Sequence, residues 1–180
     1  MVKPIEIGEP LITASAIRER VRELAEEINR DYGRSSRPLT VIIVLKGACF
    51  FAIDLLRYLS VLTRLDFLQA SSYYGGSASS GEVHLHKDIT MSIAGTDVLL
   101  VEDIVDSGLT ASWLIQHLAS HRPATVRLCT LLDKPARRHV PVELHYVGFT
   151  IPDQFVLGYG LDYDEAYRNL PDIYIARPKE

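Results

Sequence analysis

The run Val98-Leu99-Leu100-Val101-Glu102-Asp103-Ile104-Val105-Asp106-Ser107-Gly108-Leu109-Thr110-Ala111 passes from an apolar segment to two adjacent acids and then to a turn of small residues. Its first part, with Asp97, predicts a strand over 97–101, and the unbroken apolar pattern asks for cover on both faces, as in a parallel sheet. A helix is predicted from about Leu109 to Ser120, which places Asp106 to Thr110 at a helix N-terminus. Unpaired N–H groups and the helix dipole favour an anion there. Two neighbouring carboxylates at a strand end are costly unless they meet cations or hydroxyl donors. A magnesium-bound polyol phosphate supplies both, because magnesium takes hard oxygen ligands and keeps several waters. Taken alone, Ser-Gly-Leu-Thr before a helix can also be a simple cap.

Working outward, Leu39 to Leu45 (LTVIIVL) reads as a second fully covered strand. Ile17, Val21, Leu24, Ala25 and Ile28 recur at a helical period between Ser15 and Arg30, and Gly33 stops the pattern. A helix is predicted from about Ala48 to Tyr58, a strand around Arg64 to Ala70, and another strand over Thr125 to Leu132. Short strands are expected at Tyr146 to Thr150 and Phe155 to Gly158. Between them, Ser71 to Lys87 (SSYYGGSASSGEVHLHK) is small, polar and glycine-rich, and it reads as a long flexible loop of the kind that often closes over a site. Strands alternating with helices, without repeat or linker, predict one α/β domain with a mainly parallel twisted sheet flanked by helices. Ligands in such sheets lie beyond the carboxyl ends of the strands.

Composition narrows the function. The chain has 180 residues, a length suited to one domain, and a net charge of −4, which argues against a nucleic-acid partner. No apolar run approaches the ~20 residues of a membrane span, and the first residues lack the apolar stretch of a signal peptide, so a cytoplasmic protein is expected. Cys49 and Cys129 sit among apolar neighbours and read as buried free thiols. No Cys/His cluster has the spacing of a zinc site. Arg137-Arg138-His139 reads as a short solvated loop. GxxxxGK[ST] and GxGxxG are both absent, so the turn at Asp106 is not one of the common nucleotide loops.

The stretch VLLVEDIVDSGLTA closely resembles the phosphoribosyl-pyrophosphate signature of type I phosphoribosyltransferases. Four further segments resemble the hypoxanthine-guanine phosphoribosyltransferases, of bacterial type, in matching chain order: Leu45-Lys46-Gly47, Ser72-Tyr73, Leu132-Asp133-Lys134-Pro135, and the segment from Val147 to Pro171. The resemblance implies transfer of the phosphoribosyl group of phosphoribosyl pyrophosphate to hypoxanthine and/or guanine, with magnesium. It implies that Glu102 and Asp103 hold the ribose hydroxyls and the metal, and that Ser107, Gly108, Leu109 and Thr110 hold the 5′-phosphate. Lys46, Gly47 and Arg168 meet the pyrophosphate, and the Lys46–Gly47 peptide can be cis in that family. Asp106 is the implied general base. Lys134 donates to the purine's 6-oxo group, Phe155 stacks on the base and Val156 recognises its edge. Asp162 belongs to the same base-binding segment and helps hold a second magnesium, while Ser72 and Tyr73 open the closing loop.

The resemblance further implies a core of about 15–145, a small hood built from the N-terminal segment and about 146–180, and a homodimer or homotetramer. Leu109 and Gln154 depart from the common pattern, where a polar and a charged residue respectively are frequent. Two rivals remain at this level: a regulator of the same fold that binds nucleic acid without catalysis, and a phosphoribosyltransferase for adenine, xanthine or a pyrimidine.

Overall fold

The computed structural model describes residues 5–72 and 83–178. Its larger sheet has six strands in the order β4-β3-β2-β5-β6-β7: β2 (Leu39–Leu45), β3 (Thr63–Ser72), β4 (Val83–Lys87), β5 (Asp97–Val105), β6 (Thr125–Asp133) and β7 (Tyr146–Thr150). All neighbours run parallel except β3 and β4. A smaller antiparallel sheet joins β1 (Ile5–Ile12), β9 (Ile173–Pro178) and β8 (Val156–Leu157), so both ends of the chain meet in it.

Alternation along the central strands divides the core. Val41, Ile43, Leu99 and Val101 pack with α1 (Ala14–Tyr32) and α2 (Cys49–Tyr58), whereas Ile42, Val44, Val98 and Leu100 pack with α3 (Leu109–Ser120). Helix α1 forms because its buried Ile17, Val21, Leu24, Ala25, Ile28 and Tyr32 make one stripe. Thr13 caps its start, its Oγ1 accepting from the N–H of Ala16 at 3.3 Å. Arg20 on that helix donates from Nε to the Gly148 carbonyl (3.1 Å) and from Nη2 to that of Val147 (2.9 Å), tying α1 to β7. Each fully buried Leu, Ile or Val on these faces contributes ~1.5–3 kcal/mol.

Three expectations change. The strand begun at Asp97 runs on through both acids to Val105, because β6 keeps pairing with it as far as Val105↔Asp133. Val83 to Lys87 is not loop but an edge strand antiparallel to β3, its Val83 and Leu85 turned inward and His84 and His86 outward. Tyr146–Thr150, expected in the hood, is an edge strand of the large sheet, since it completes the parallel pairing of β6. Among the described residues no helix is long and apolar enough to cross a membrane.

The connections β2-α2-β3 and β5-α3-β6 leave the centre of the sheet in opposite directions, with helices on opposite faces. Strands β2 and β5 pair only from Leu39↔Asp97 to Ile43↔Val101. Beyond that point β2 follows β3 to Leu45↔Gln69, and β5 follows β6. The sheet therefore opens between Val44 and Glu102, at its topological switch point, where a ligand crevice is expected.

Candidate active site

The crevice is a cavity of about 540 Å³ lined by residues from the ends of β2 and β5, by β3, and by Asp162, Glu165 and Arg168. It shares Glu102, Ile104 and Thr110 with a second cavity of about 220 Å³ around Asp106, Ser107 and Gly108. Two compartments thus meet across the acidic pair.

Glu102 is buried, and that burial, with the charge of Asp103, pushes its carboxyl well above the usual range. Asp103 is pushed up to about 6 by burial, opposed by the N–H of Ile104 and by Arg168, and raised further by Asp162. Two carboxylates so placed are costly in the bare protein and suit a hard cation. Gly47 is required opposite them: a Cβ at that position would overlap the Asp103 carboxylate. The backbone between β2 and Gly47 contains a cis peptide at Leu45–Lys46, the bond before Lys46 and not the Lys46–Gly47 bond.

The cations of this compartment are already paired. Lys46 Nζ lies 2.7 Å from Glu165, and both side chains are exposed. Arg168 Nη2 lies 2.8 Å from Asp162 and 3.3 Å from Glu165, while its Nη1 donates to the Gly160 carbonyl at 2.8 Å. Asp162 also accepts from the N–H of Glu165 at 2.9 Å.

The smaller compartment is an anion cradle. Gly108 has φ +84°, and a Cβ there would overlap the Val140 carbonyl, so the turn needs glycine. Among the described residues, no chain acceptor takes the N–H of Gly108 or Thr110. Leu109 N–H makes only a long contact with Ser107 Oγ, at 3.4 Å.

Arg138 holds the turn from behind, and sequence reasoning missed it. Placed as solvated, Arg138 instead donates from Nε to the Asp106 carbonyl (3.0 Å) and from Nη2 to that of Val105 (3.1 Å), and pairs with Asp133. The N–H groups of His139 and Val140 donate to the Ser107 carbonyl at 2.9 and 3.0 Å. Only the position of Arg138 shortly after Lys134 could have hinted at this, because the partners come from β5 and β6.

Lys134 is buried beside the cradle. Its Nζ lies 3.1 Å from the Gln154 carbonyl, 3.4 Å from Asp153 and 3.6 Å from Asp106. Asp106 Oδ2 is also 3.7 Å from Arg137, whereas Oδ1 is buried without a hydrogen-bond partner. Phe155 stands exposed at the entrance of β8, its ring 5.8 Å from that of Tyr163 and edge-on to it. Val156 is buried in β8 opposite Ile175. Ser72 ends β3, and Tyr73 lies outside the described residues. Both cysteines are free; Cys129 is buried and Cys49 partly so, and burial pushes the Cys129 thiol up.

A parallel sheet split at its switch point, an acid pair with Glu102 buried and Asp103 partly so, and an adjoining anion cradle define a phosphoribosyltransferase site. The phosphoribosyl transferase domain model matches residues 12–164, and the chain belongs to that family. Within it, the chain is 49% identical over 180 residues to the hypoxanthine-guanine phosphoribosyltransferase of Mycobacterium tuberculosis, covering 98% of this chain and 89% of that one. A solved hypoxanthine-guanine phosphoribosyltransferase from Bacillus anthracis, with HEPES in its active site, matches with TM-score 0.89 and 46% identity over 97% of this chain and 99% of that one. A point mutant of the Trypanosoma cruzi hypoxanthine phosphoribosyltransferase, complexed with the product IMP, matches with TM-score 0.88 and 42% identity, over 96% of this chain and 91% of that one.

Proposed function

We infer that the protein is a purine-salvage enzyme that transfers the phosphoribosyl group of phosphoribosyl pyrophosphate to hypoxanthine and/or guanine, giving IMP or GMP and pyrophosphate. The observation that carries this reading is Asp106. Asp106 lines the anion cradle and its Oδ2 lies 3.6 Å from the buried Lys134 ammonium, while its Oδ1 has no hydrogen-bond partner, which suits a base acting on a 6-oxopurine next to a ribose phosphate.

In this reading the anomeric bond to pyrophosphate breaks as a purine ring nitrogen bonds to the same carbon, through a transition state with oxocarbenium character. Asp106 accepts the proton that the nitrogen loses. Lys134 donates to the 6-oxo oxygen, and because an ammonium cannot accept, it disfavours a 6-amino base. Phe155 stacks on the base, contributing ~1–3 kcal/mol, and the backbone of Val156 meets the base edge. The amides of Gly108, Leu109 and Thr110, with Ser107 and Thr110 hydroxyls, hold the 5′-phosphate. Glu102 and Asp103 hold the ribose hydroxyls, while Lys46, Gly47 and Arg168 face the pyrophosphate. Glu102, Asp103 and Asp162 would hold a magnesium ion, which when bound would supply positive charge for the departing pyrophosphate. Ser72 and Tyr73 begin the loop that closes against water.

One catalytic unit comprises the whole chain, with the small sheet as a hood over the base. A homodimer or homotetramer goes with this reading, supported by exposed Phe50 and Tyr58 on a groove of about 540 Å³ between α1 and α2. So does the cytoplasm as location, supported by the apolar-run pattern of the sequence. Incubation with phosphoribosyl pyrophosphate, magnesium and each base in turn tests the substrate; no nucleotide from any 6-oxopurine overturns it. Asp106→Asn should lower kcat by roughly 10²–10⁴ while changing KM little. Unchanged turnover removes Asp106 from the base role.

A further inference from the structure

At the far end of α3 from the anion cradle, His117 and His121 stand one turn apart on the helix, and the fold brings Asp88 against them. One potential ligand atom from each of the three residues lies within 4.8 Å of the other two. We propose that Asp88, His117 and His121 form a binding site for a borderline-soft divalent ion, Zn²⁺ or Cu²⁺, separate from the catalytic cleft.

Geometry is the first support. His117 Nε2 is already 2.9 Å from Asp88 Oδ1. Metal–nitrogen and metal–oxygen bonds of ~2.0–2.2 Å in a tetrahedron place ligands a little over 3 Å apart, so an ion closes the set by displacing the proton between His117 Nε2 and Asp88 and by rotation of His121, which is exposed. The tautomer of His121 is the second support. Its Nδ1 lies 3.1 Å from the His117 carbonyl, which can only accept, so Nδ1 carries the hydrogen and Nε2 is left with the lone pair a metal requires. Position is the third: the carboxyl end of a helix carries partial negative charge and favours a cation. Two cations adjoin the set: Arg122, next to His121 in the chain, and Lys87, whose Nζ is turned to the Phe67 and Asp88 carbonyls and lies 3.7 Å from Asp66.

Two imidazoles and one carboxylate with an open position select Cu²⁺ and Zn²⁺ over magnesium, which takes oxygen ligands. The all-carboxylate pair in the cleft has the opposite preference, so the two sites separate by metal. The local spacing of cysteines and histidines does not reveal the site, because its third ligand follows β4 and reaches α3 only through the fold. A bound ion would join the end of α3 to the residue after β4.

Trp113, the only tryptophan, is a built-in reporter, stacked on His117 with ring centroids 5.0 Å apart and planes 6° from parallel. Titration of the full chain with Cu²⁺ in millimolar Mg²⁺ should quench its fluorescence saturably with about one equivalent, and Zn²⁺ should compete. His121→Gln, at an exposed position, should weaken binding roughly tenfold or more and leave the Mg²⁺-supported transferase rate unchanged. Asp88→Asn should weaken it similarly, and electron paramagnetic resonance of the Cu²⁺ form should show nitrogen coupling from two imidazoles. Equal affinity in the native chain and His121→Gln, quenching that never saturates, or a spectrum without imidazole nitrogen overturns the proposal.

Discussion

Replacing Arg138 with methionine removes the guanidinium while keeping most of the stem that packs beneath Gly108. Lost with it are the bonds to the Val105 and Asp106 carbonyls, at 3.1 and 3.0 Å, and the partner of the Asp133 carboxylate, which is only 16% exposed. Charge-assisted bonds contribute ~1.5–3 kcal/mol each, but these share one donor group and do not add fully. A loss of about 3 kcal/mol follows, which in a chain of this length lowers Tm by roughly 6–12 °C. The Ser107 carbonyl keeps its two amide donors from His139 and Val140, so the cradle should loosen without collapsing. The KM for phosphoribosyl pyrophosphate should then rise about tenfold, equivalent to ~1.4 kcal/mol, with a smaller change in KM for the purine. Arg138→Lys should recover only part of the loss, because one ammonium cannot reproduce the planar fork. Thermal melting and steady-state kinetics with each substrate varied check both halves. A Tm within a degree of the native value, with unchanged kinetics, would refute the role of Arg138 as a strut behind the turn.

Gly47→Ala drives a Cβ into the Asp103 carboxylate, so activity should fall by about 10²-fold as the acid pair is displaced, with a higher magnesium requirement and little change in Tm; a native magnesium titration would contradict this. Acid stability should depend on Asp66, a buried residue of β3. Burial alone would raise its carboxyl, but the N–H groups of Met91, Thr90 and Phe67 and the Thr90 hydroxyl outweigh it and hold it below the ordinary 3.8. A lowered folded value means that the stabilisation is complete above 3.8 and is lost as pH falls through that lower value. Asp66→Asn should therefore lower the urea midpoint at neutral pH and flatten its dependence below about pH 4; an unaltered midpoint at neutral pH would argue otherwise.

Much of this was legible in the chain because strong local patterns and global fold agree. LTVIIVL is a run with cover on both faces and forms the strand Leu39–Leu45 over its whole length, and the helix predicted from about Leu109 to Ser120 forms over those residues. The rule that α/β sheets bind ligands beyond the strand ends directed attention to the candidate turn at 102–110, and the remaining candidate residues came from the resemblance. What stayed hidden depends on partners distant in sequence. The β5 strand continues past Val101 because β6 offers pairing that local polarity does not announce. Val83-His84-Leu85-His86-Lys87 alternates as an edge strand should, but a glycine-rich neighbour masked it. Ile5–Ile12 gains its strand character only from Ile173–Pro178 at the other end of the chain. Arg138 looks like a surface cation until the carbonyls of Val105 and Asp106 close around it.

The cations of the cleft pair with its own carboxylates, and in the proposed function that has an energetic consequence for pyrophosphate. Glu165 draws Lys46 to 2.7 Å and also reaches Arg168, which in turn holds Asp162. Lys46 and then Arg168 hold the Glu165 carboxyl below the usual carboxylate range. With Lys46 and Arg168 in the roles proposed for them, an incoming pyrophosphate shares or displaces these pairs before both cations can face it. Because the Lys46–Glu165 pair is exposed, water screens it and its grip is weak. Glu165→Gln should therefore tighten pyrophosphate binding only modestly, by roughly two- to fivefold. The gain should shrink as salt is raised, because screening erodes the native pair first. Calorimetry of pyrophosphate binding with magnesium, at low and high ionic strength, measures both effects. Weaker binding in Glu165→Gln would mean that Glu165 positions Lys46 and Arg168 for the anion, and the competition argued here would be wrong.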